Sequence, residues 1–235
     1  KKVDFQKISV DFGDTTQDFH IGKGSTAIPG NIAGLLDIHK KKGSLPLDVI
    51  LQPAIHFAKN GITLSKYQAY INHLVKPILL HSNEGKKIFT RDNHFLKEGD
   101  TFKNSNFAYF LSLLAQHGKD FFYKGEGAEV INNFYSSSGY INQEGLSNYQ
   151  MEIRQPISIN IGEYTIFTNP APSYGGTLMV FMLNLLKKSN HLDTNIVKFI
   201  KAMELTSMAR HQVCINPNNE MEINQLLDKK IFDQY

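Results

Sequence analysis

The sequence predicts an α+β fold, mainly helical with a small β element, forming a single domain over residues 1–235. Three observations lead there. Apolar residues recur at helical spacing along most of the chain, whereas only 157–161 alternates in the manner of a half-buried strand. An apolar share of 41% with a charged share of 20% is that of a folded chain and not of a disordered one. Finally, 235 residues suffice to bury a real core.

Taken in order, the first helix is carried by Ile32, Leu35, Leu36 and His39 and is stopped by Gly43. A second runs from Leu47 through Ile50, Leu51, Ala54, Ile55 and Ala58, with Ser44 as its expected N-cap, Pro46 in the first turn and Asn60-Gly61 as its stop. Pro53 should kink or split it. The stretch from Tyr67 to Leu80 is helical until Pro77 disturbs it. Phe107, Phe110, Leu111 and Leu114 mark a further helix, capped by Asn104 or Ser105 and ended by Gly118; Ala128, Ile131 and Phe134 mark another, ending before Gly139. Ile157, Ile159 and Ile161 face one way and Ser158 and Asn160 the other, Gly162-Glu163 turns the chain, and Tyr164 to Phe167 returns as a second strand. Then Thr177 to Leu186 is apolar on nearly every face, so this helix is expected to be buried on all sides. One hairpin is too little cover for it, which implies further sheet from residues outside this sequence. The last helix spans about Asn195 to Gln212 and carries Ile196, Phe199, Ile200 and Met203.

Composition excludes several function classes. Net charge is +3, from 25 basic and 22 acidic residues scattered along the chain. The densest run, Lys40-Lys41-Lys42, precedes Gly43, where a helix end favours cations; no nucleic-acid face is expected. The longest apolar run, Leu178 to Leu183, falls far short of the ~18 residues of a membrane span. Cys214 is alone, so no intrachain disulfide forms, and a packing role is expected for it. The first residue is Lys1, without an initiator Met or a signal-peptide core, as in a processed or cut chain.

The usual catalytic templates are missing. There is no Gly-x-Ser-x-Gly elbow, no phosphate-binding glycine loop and no His-Glu-x-x-His. None of the nine histidines has ligand spacing supported by acids or thiols, so no metal or other cofactor is expected. The glycines and prolines are more telling. Ala27-Ile28-Pro29-Gly30-Asn31-Ile32-Ala33-Gly34-Leu35 is followed by His39, Gly43, Leu45-Pro46, Pro53-Ala54-Ile55, Ala58 and Gly61. Leu114 to Gly118, Phe122-Tyr123-Lys124-Gly125 with Ala128, and Leu146 to Tyr149 come next. Pro156, Tyr164, Pro170-Ala171-Pro172-Ser173-Tyr174-Gly175-Gly176 and Asn184-Leu185-Leu186 complete the series. In order and spacing, from Gly24 to Leu186, this resembles the large subunit of the γ-glutamyltransferase (γ-glutamyltranspeptidase, glutathione hydrolase) family. The agreement thins after Leu205: Ala209-Arg210-His211 and Ile215-Asn216-Pro217 stand where the family usually has Ala-Asp-Arg and Gly-Asp-Pro. Gly145 replaces an Asp, Ala171 a Pro and Tyr174 a Ser, as in a divergent member.

The resemblance implies the middle and end of a large subunit, part of the four-layer αββα sandwich of an N-terminal-nucleophile hydrolase. It implies a self-cleaving zymogen whose new N-terminal Thr, on the small subunit, attacks γ-glutamyl amides and passes the glutamyl group to water or an amine, with glutathione the expected substrate. That Thr is expected to open a strand roughly 20–60 residues beyond Tyr235. The arginine that grips the substrate carboxylate is expected before Lys1. No catalytic residue is therefore expected within this chain, which alone should be inactive. Its expected partners are the small subunit and the N-terminal part of the large one. Gly175 and Gly176, at a helix start, are the only candidates for ligand contact, although tight backbone packing is the favoured account of both. Thr177 reads as an ordinary helix N-terminal residue. The family implies a periplasmic or secreted protein. Two alternatives remain: a related acylase, acting on poly-γ-glutamate or a cephalosporin side chain, and a non-enzymatic helical interaction module.

Overall fold

A computed structural model describes residues 2–188, 196–213 and 219–235. Cys214 and Ile215-Asn216-Pro217 lie outside the described residues. The architecture is α+β and mainly helical, as the sequence predicts. Where one domain is expected, the chain divides into two compact units, Lys1–Met151 and Glu152–Tyr235.

The first unit opens with an antiparallel hairpin, β1 (Gln6–Asp11) and β2 (Thr16–Ile21), that hydropathy alternation does not reveal. Its apolar face is narrow: Val10 is buried, but Val10 pairs with Gln17 and only Ile8 and Phe19 oppose one another as apolar partners. Polar cross-strand contacts supply the rest, with Lys7 Nζ 2.8 Å from Asp18 Oδ2 and Ser9 Oγ donating to Asp18 Oδ1 at 2.6 Å. Asp4, just before β1, accepts from the Lys23 backbone N–H at 3.1 Å, and this bond holds its carboxyl below the usual range.

Helices α1 (Asn31–Lys42) and α2 (Leu47–Asn60) follow, and each ends at its expected glycine. Gly43 donates to the His39 carbonyl at 2.7 Å, and Gly61, at φ 93°, donates to that of Phe57 at 2.8 Å. One expectation for α2 fails. Pro46, not Ser44, stands at the N-cap with φ −57° and ψ 146°, because its ring presets the entry and Ser44 lies too far upstream to reach the first free N–H groups. Pro53 does not split the helix. It sits on the exposed side, where solvent can meet the Val49 carbonyl that it leaves without a donor, while Leu51, Ile55 and Ala58 on the covered side face α6.

Short elements then connect: β3 (Ile62–Thr63), α3 (Lys66–Leu74), α4 (Lys76–Leu79), α5 (Asn83–Phe89), β4 (Thr90–Arg91), β5 (His94–Phe95) and β6 (Thr101–Phe102). Ser65 and Gln68 close a capping box on α3, and Pro77 lies in the first turn of α4, so the interruption expected there is real. Helix α6 (Ser105–Tyr123) starts on Asn104, whose side chain accepts from Phe107 N–H at 2.9 Å. At Gly118 (φ 64°, ψ −156°) it breaks and at once resumes in a new direction. Helices α7 (Glu126–Tyr135) and α8 (Gln143–Ser147) complete this unit. Its core gathers Ala33 of α1, Phe122 and Tyr123 of α6, Ala128, Ile141 and Leu146, ringed by Ile28, Ile32 and Tyr149.

In the second unit, β7 (Ile157–Ile161) and β8 (Tyr164–Thr168) form the expected hairpin, turning at Gly162 with φ 57°. Helix α9 (Tyr174–Lys188) packs on β7 and on α10 (Ile196–Val213); α11 (Glu220–Gln225) and α12 (Lys229–Phe232) close the unit. The expectation that α9 is buried on all sides is corrected. Thr177, Val180, Phe181, Leu185 and Leu186 are buried, Leu178, Met182 and Leu183 half-buried, and Met179 is 42% exposed.

The N-cap glycine of α1, Gly30, and Gly34 within the helix should respond oppositely to one methyl group. A Cβ on Gly30 would lie 2.1 Å from the Tyr149 hydroxyl, whose ring is held in a stack on Tyr123; Gly34 has open space. Gly34→Ala is expected to stabilise the chain by ~0.5–1 kcal/mol and Gly30→Ala to destabilise it by ~1–3 kcal/mol, read as denaturant midpoints.

Candidate functional site

The candidate glycines lie where β8 hands over to α9. After Thr168 and Asn169, the segment Pro170 to Ser173 turns sharply, with Ser173 N–H donating to the Pro170 carbonyl at 3.1 Å and a cis Ala171–Pro172 bond. Ala171 is buried in this turn. Helix α9 begins directly at Tyr174, so Gly175 and Gly176 both belong to its first turn.

The two glycines have different surroundings. Gly176 is buried, and a Cβ there would lie 2.0 Å from the Asn169 carbonyl oxygen and 2.8 Å from Thr168 Oγ1. Its missing side chain is what lets the strand end lie against the helix start. Gly175 is exposed with nothing within 4 Å of its Cβ position. Packing thus accounts for Gly176 and leaves Gly175 without a steric reason.

Two neighbouring features escape hydropathy and motif reasoning. Thr177 is wholly buried, and its hydroxyl has no hydrogen-bond partner among the described residues. Such a group costs free energy against an isosteric methyl. The Arg210 guanidinium of α10 lies 5.2 Å from the centroid of the Tyr174 ring, within cation–π range. Tyr174 and Arg210 are both positions where the sequence departs from the resembled pattern, so two departures meet in space. No signal within either stretch could have shown this, because 36 positions separate them. Among the described residues, no three His, Cys, Asp or Glu side chains come together as a metal site. Nor does a described helix have the length and apolarity to cross a membrane.

The family model for gamma-glutamyltranspeptidase matches residues 5–235. The chain belongs to the γ-glutamyltranspeptidase family. It is 34% identical over 170 residues to the glutathione hydrolase proenzyme of Escherichia coli (strain K12), covering 72% of this chain and 29% of that protein. It is 28% identical over 235 residues to the capsule biosynthesis protein CapD proenzyme of Bacillus anthracis, covering 96% of this chain and 42% of that one. The crystal structure of Helicobacter pylori gamma-glutamyltranspeptidase superposes with a TM-score of 0.78 at 27% identity, over 91% of this chain and 65% of that chain. The chain therefore spans less than half of the E. coli and B. anthracis proteins, and its fold is that of part of an N-terminal-nucleophile hydrolase.

The geometry separates three substitutions. Gly176→Ala forces a methyl into a backbone carbonyl and should cost ~3 kcal/mol, whereas Gly175→Ala should stay within ~1 kcal/mol of the parent. Thr177→Val removes the unpaired hydroxyl at constant shape and should be neutral or stabilising by ~1 kcal/mol. Urea unfolding of the three variants, followed by circular dichroism, ranks them.

Proposed function

We propose that this chain is the middle and end of the large subunit of a γ-glutamyltransferase/glutathione hydrolase. The observation that carries the reading is the family match over 5–235, in register with longer relatives named as proenzymes. On this reading the polypeptide is made as a self-cleaving zymogen. Cleavage exposes an N-terminal Thr on a small subunit, and its own α-amine takes the hydroxyl proton as the oxygen attacks the γ-carbonyl of the substrate. Backbone N–H groups of the small subunit stabilise the resulting oxyanion. The amine leaves with a proton, a glutamyl ester remains on the Thr, and water or an acceptor amine then releases it. The substrate's carboxylate is gripped by an arginine from the N-terminal part of the large subunit. Catalytic residues then all lie outside this chain, and Gly176 serves the scaffold by seating α9 on the strand before it. The periplasm or the exterior is the proposed location, from the family's bacterial members.

A specific observation favours keeping one second reading. The chain is also 29% identical over 168 residues to the acylase ACY 1 proenzyme of Pseudomonas sp. (strain SE83), over 71% of this chain and 30% of that protein, so a related acylase on the same scaffold is the alternative.

Exposed apolar side chains agree with a chain that is completed by other polypeptide. Ile196, Val197, Ile200 and Met203 of α10 are each at least half exposed. The 235-residue chain should bind an apolar dye such as anilinonaphthalene sulfonate and self-associate in light scattering, and the full-length protein should do neither. Activity gives the direct test. Full-length protein should release p-nitroaniline from γ-glutamyl-p-nitroanilide, and the 235-residue chain should release none above background. Turnover by this chain alone overturns the subunit assignment; processed full-length protein inert on γ-glutamyl amides but active on another acyl substrate selects the acylase reading.

A further inference from the structure

Two cavities of the first unit share a wall made of Asp37 from α1 and Lys119 from α6. One, of about 320 Å³, is floored by the stacked rings of Tyr123 and Tyr149 together with Met151. The other, of about 280 Å³, is lined by Leu36 and Leu47 and has a mainly apolar surface. Lys119 is where it is because of Gly118: the break in α6 at φ 64° starts a new helical direction one residue before it.

The shared wall carries opposite charges that do not neutralise each other. No ion pair joins Lys119 to a carboxylate among the described residues, while Asp120 beside it is engaged by Lys124 at 3.6 Å. Asp37 is the more sheltered acid, its side chain 30% exposed, and one of its oxygens, Oδ2, is 2.7 Å from Lys41 Nζ. A carboxylate has further acceptor positions beyond that contact. An ammonium and a carboxylate that face common cavities without pairing with each other, the carboxylate keeping free acceptor positions beside its contact with Lys41, are complementary to a ligand bearing both charges in reverse order. An apolar side chain on that ligand has the Leu36–Leu47 cavity to enter.

We propose that Asp37 and Lys119 form a binding site for a zwitterionic α-amino acid with an apolar side chain, its ammonium on Asp37 and its carboxylate on Lys119. The site lies wholly within the first unit, and it stands independently of the reaction proposed above. Both charges are partly solvated, so the affinity is weak, with a dissociation constant on the order of 1 mM.

The test is an NMR titration of the full-length protein with L-leucine, L-leucinamide and N-acetyl-L-leucine. L-Leucine should shift amide signals in 33–40 and 118–124, and each analogue, lacking one charge, should bind at least about tenfold more weakly. Asp37→Asn and Lys119→Met should each weaken L-leucine about tenfold with the melting temperature unchanged. Equal binding of either analogue overturns the proposal. So does unchanged L-leucine binding in a folded single variant, or a response confined to other residues. Should a single variant fail to fold, the analogue comparison on the parent chain decides.

Discussion

One hydroxyl organises the first unit. The N-cap position of α1 is Gly30, which has no side chain to accept from the free N–H groups of the first turn. Tyr123, 90 positions from Ala33, does so in its place: its oxygen accepts from Ala33 N–H at 3.2 Å and its proton goes to the Pro29 carbonyl. A local cap stabilises only its helix, whereas this one also fastens α1 to the end of α6. Burial pushes the Tyr123 pKa up. The ring is held in turn by Tyr149, stacked at 5.4 Å, and the Tyr149 hydroxyl occupies the space where a Gly30 side chain would be. Pro29-Gly30, Phe122-Tyr123 and Leu146 to Tyr149 are three separate motifs in the chain, and they meet here as one packing unit.

That convergence explains why the fold was legible from backbone-specialised residues. Gly43, Gly61 and Gly162 mark ends and turns because each stands where the chain reverses or a helix carbonyl needs a donor, and the structure uses all three so. Asn104 likewise caps α6. Expectations failed where context overrides a local rule. Pro53 does not split α2, because the carbonyl it leaves without a donor lies on an exposed face that solvent reaches. The β1–β2 hairpin is fastened by Lys7, Ser9 and Asp18, so hydropathy has little to detect.

The candidate site was legible as a position and not as an environment. Gly175 and Gly176 are identical in type and adjacent in sequence, yet a helix rotates by about 100° per residue. One therefore points at the Asn169 carbonyl and the other at solvent. Thr177, another step round, is buried completely with its hydroxyl unsatisfied. Which way the helix is turned depends on where β8 ends, and that is a tertiary fact. The contact of Arg210 with Tyr174 is of the same kind.

Helix α10 shows the limit of periodicity most clearly. Its large apolar residues, Ile196, Phe199, Ile200 and Met203, lie on one stripe, and Ala202, Thr206 and Ala209 lie roughly a third of a turn away. Hydropathy favours the first stripe as the buried one, yet those four are 41–66% exposed and the small residues are buried. The reason is distance. Small side chains let two helices approach closely, and α9 presents Phe181, Leu185 and Leu186, large residues that need small ones opposite. Interdigitation of large with small therefore decides the orientation of α10 within this unit. Its larger apolar stripe is left as the surface on which any additional polypeptide would gain most from burial.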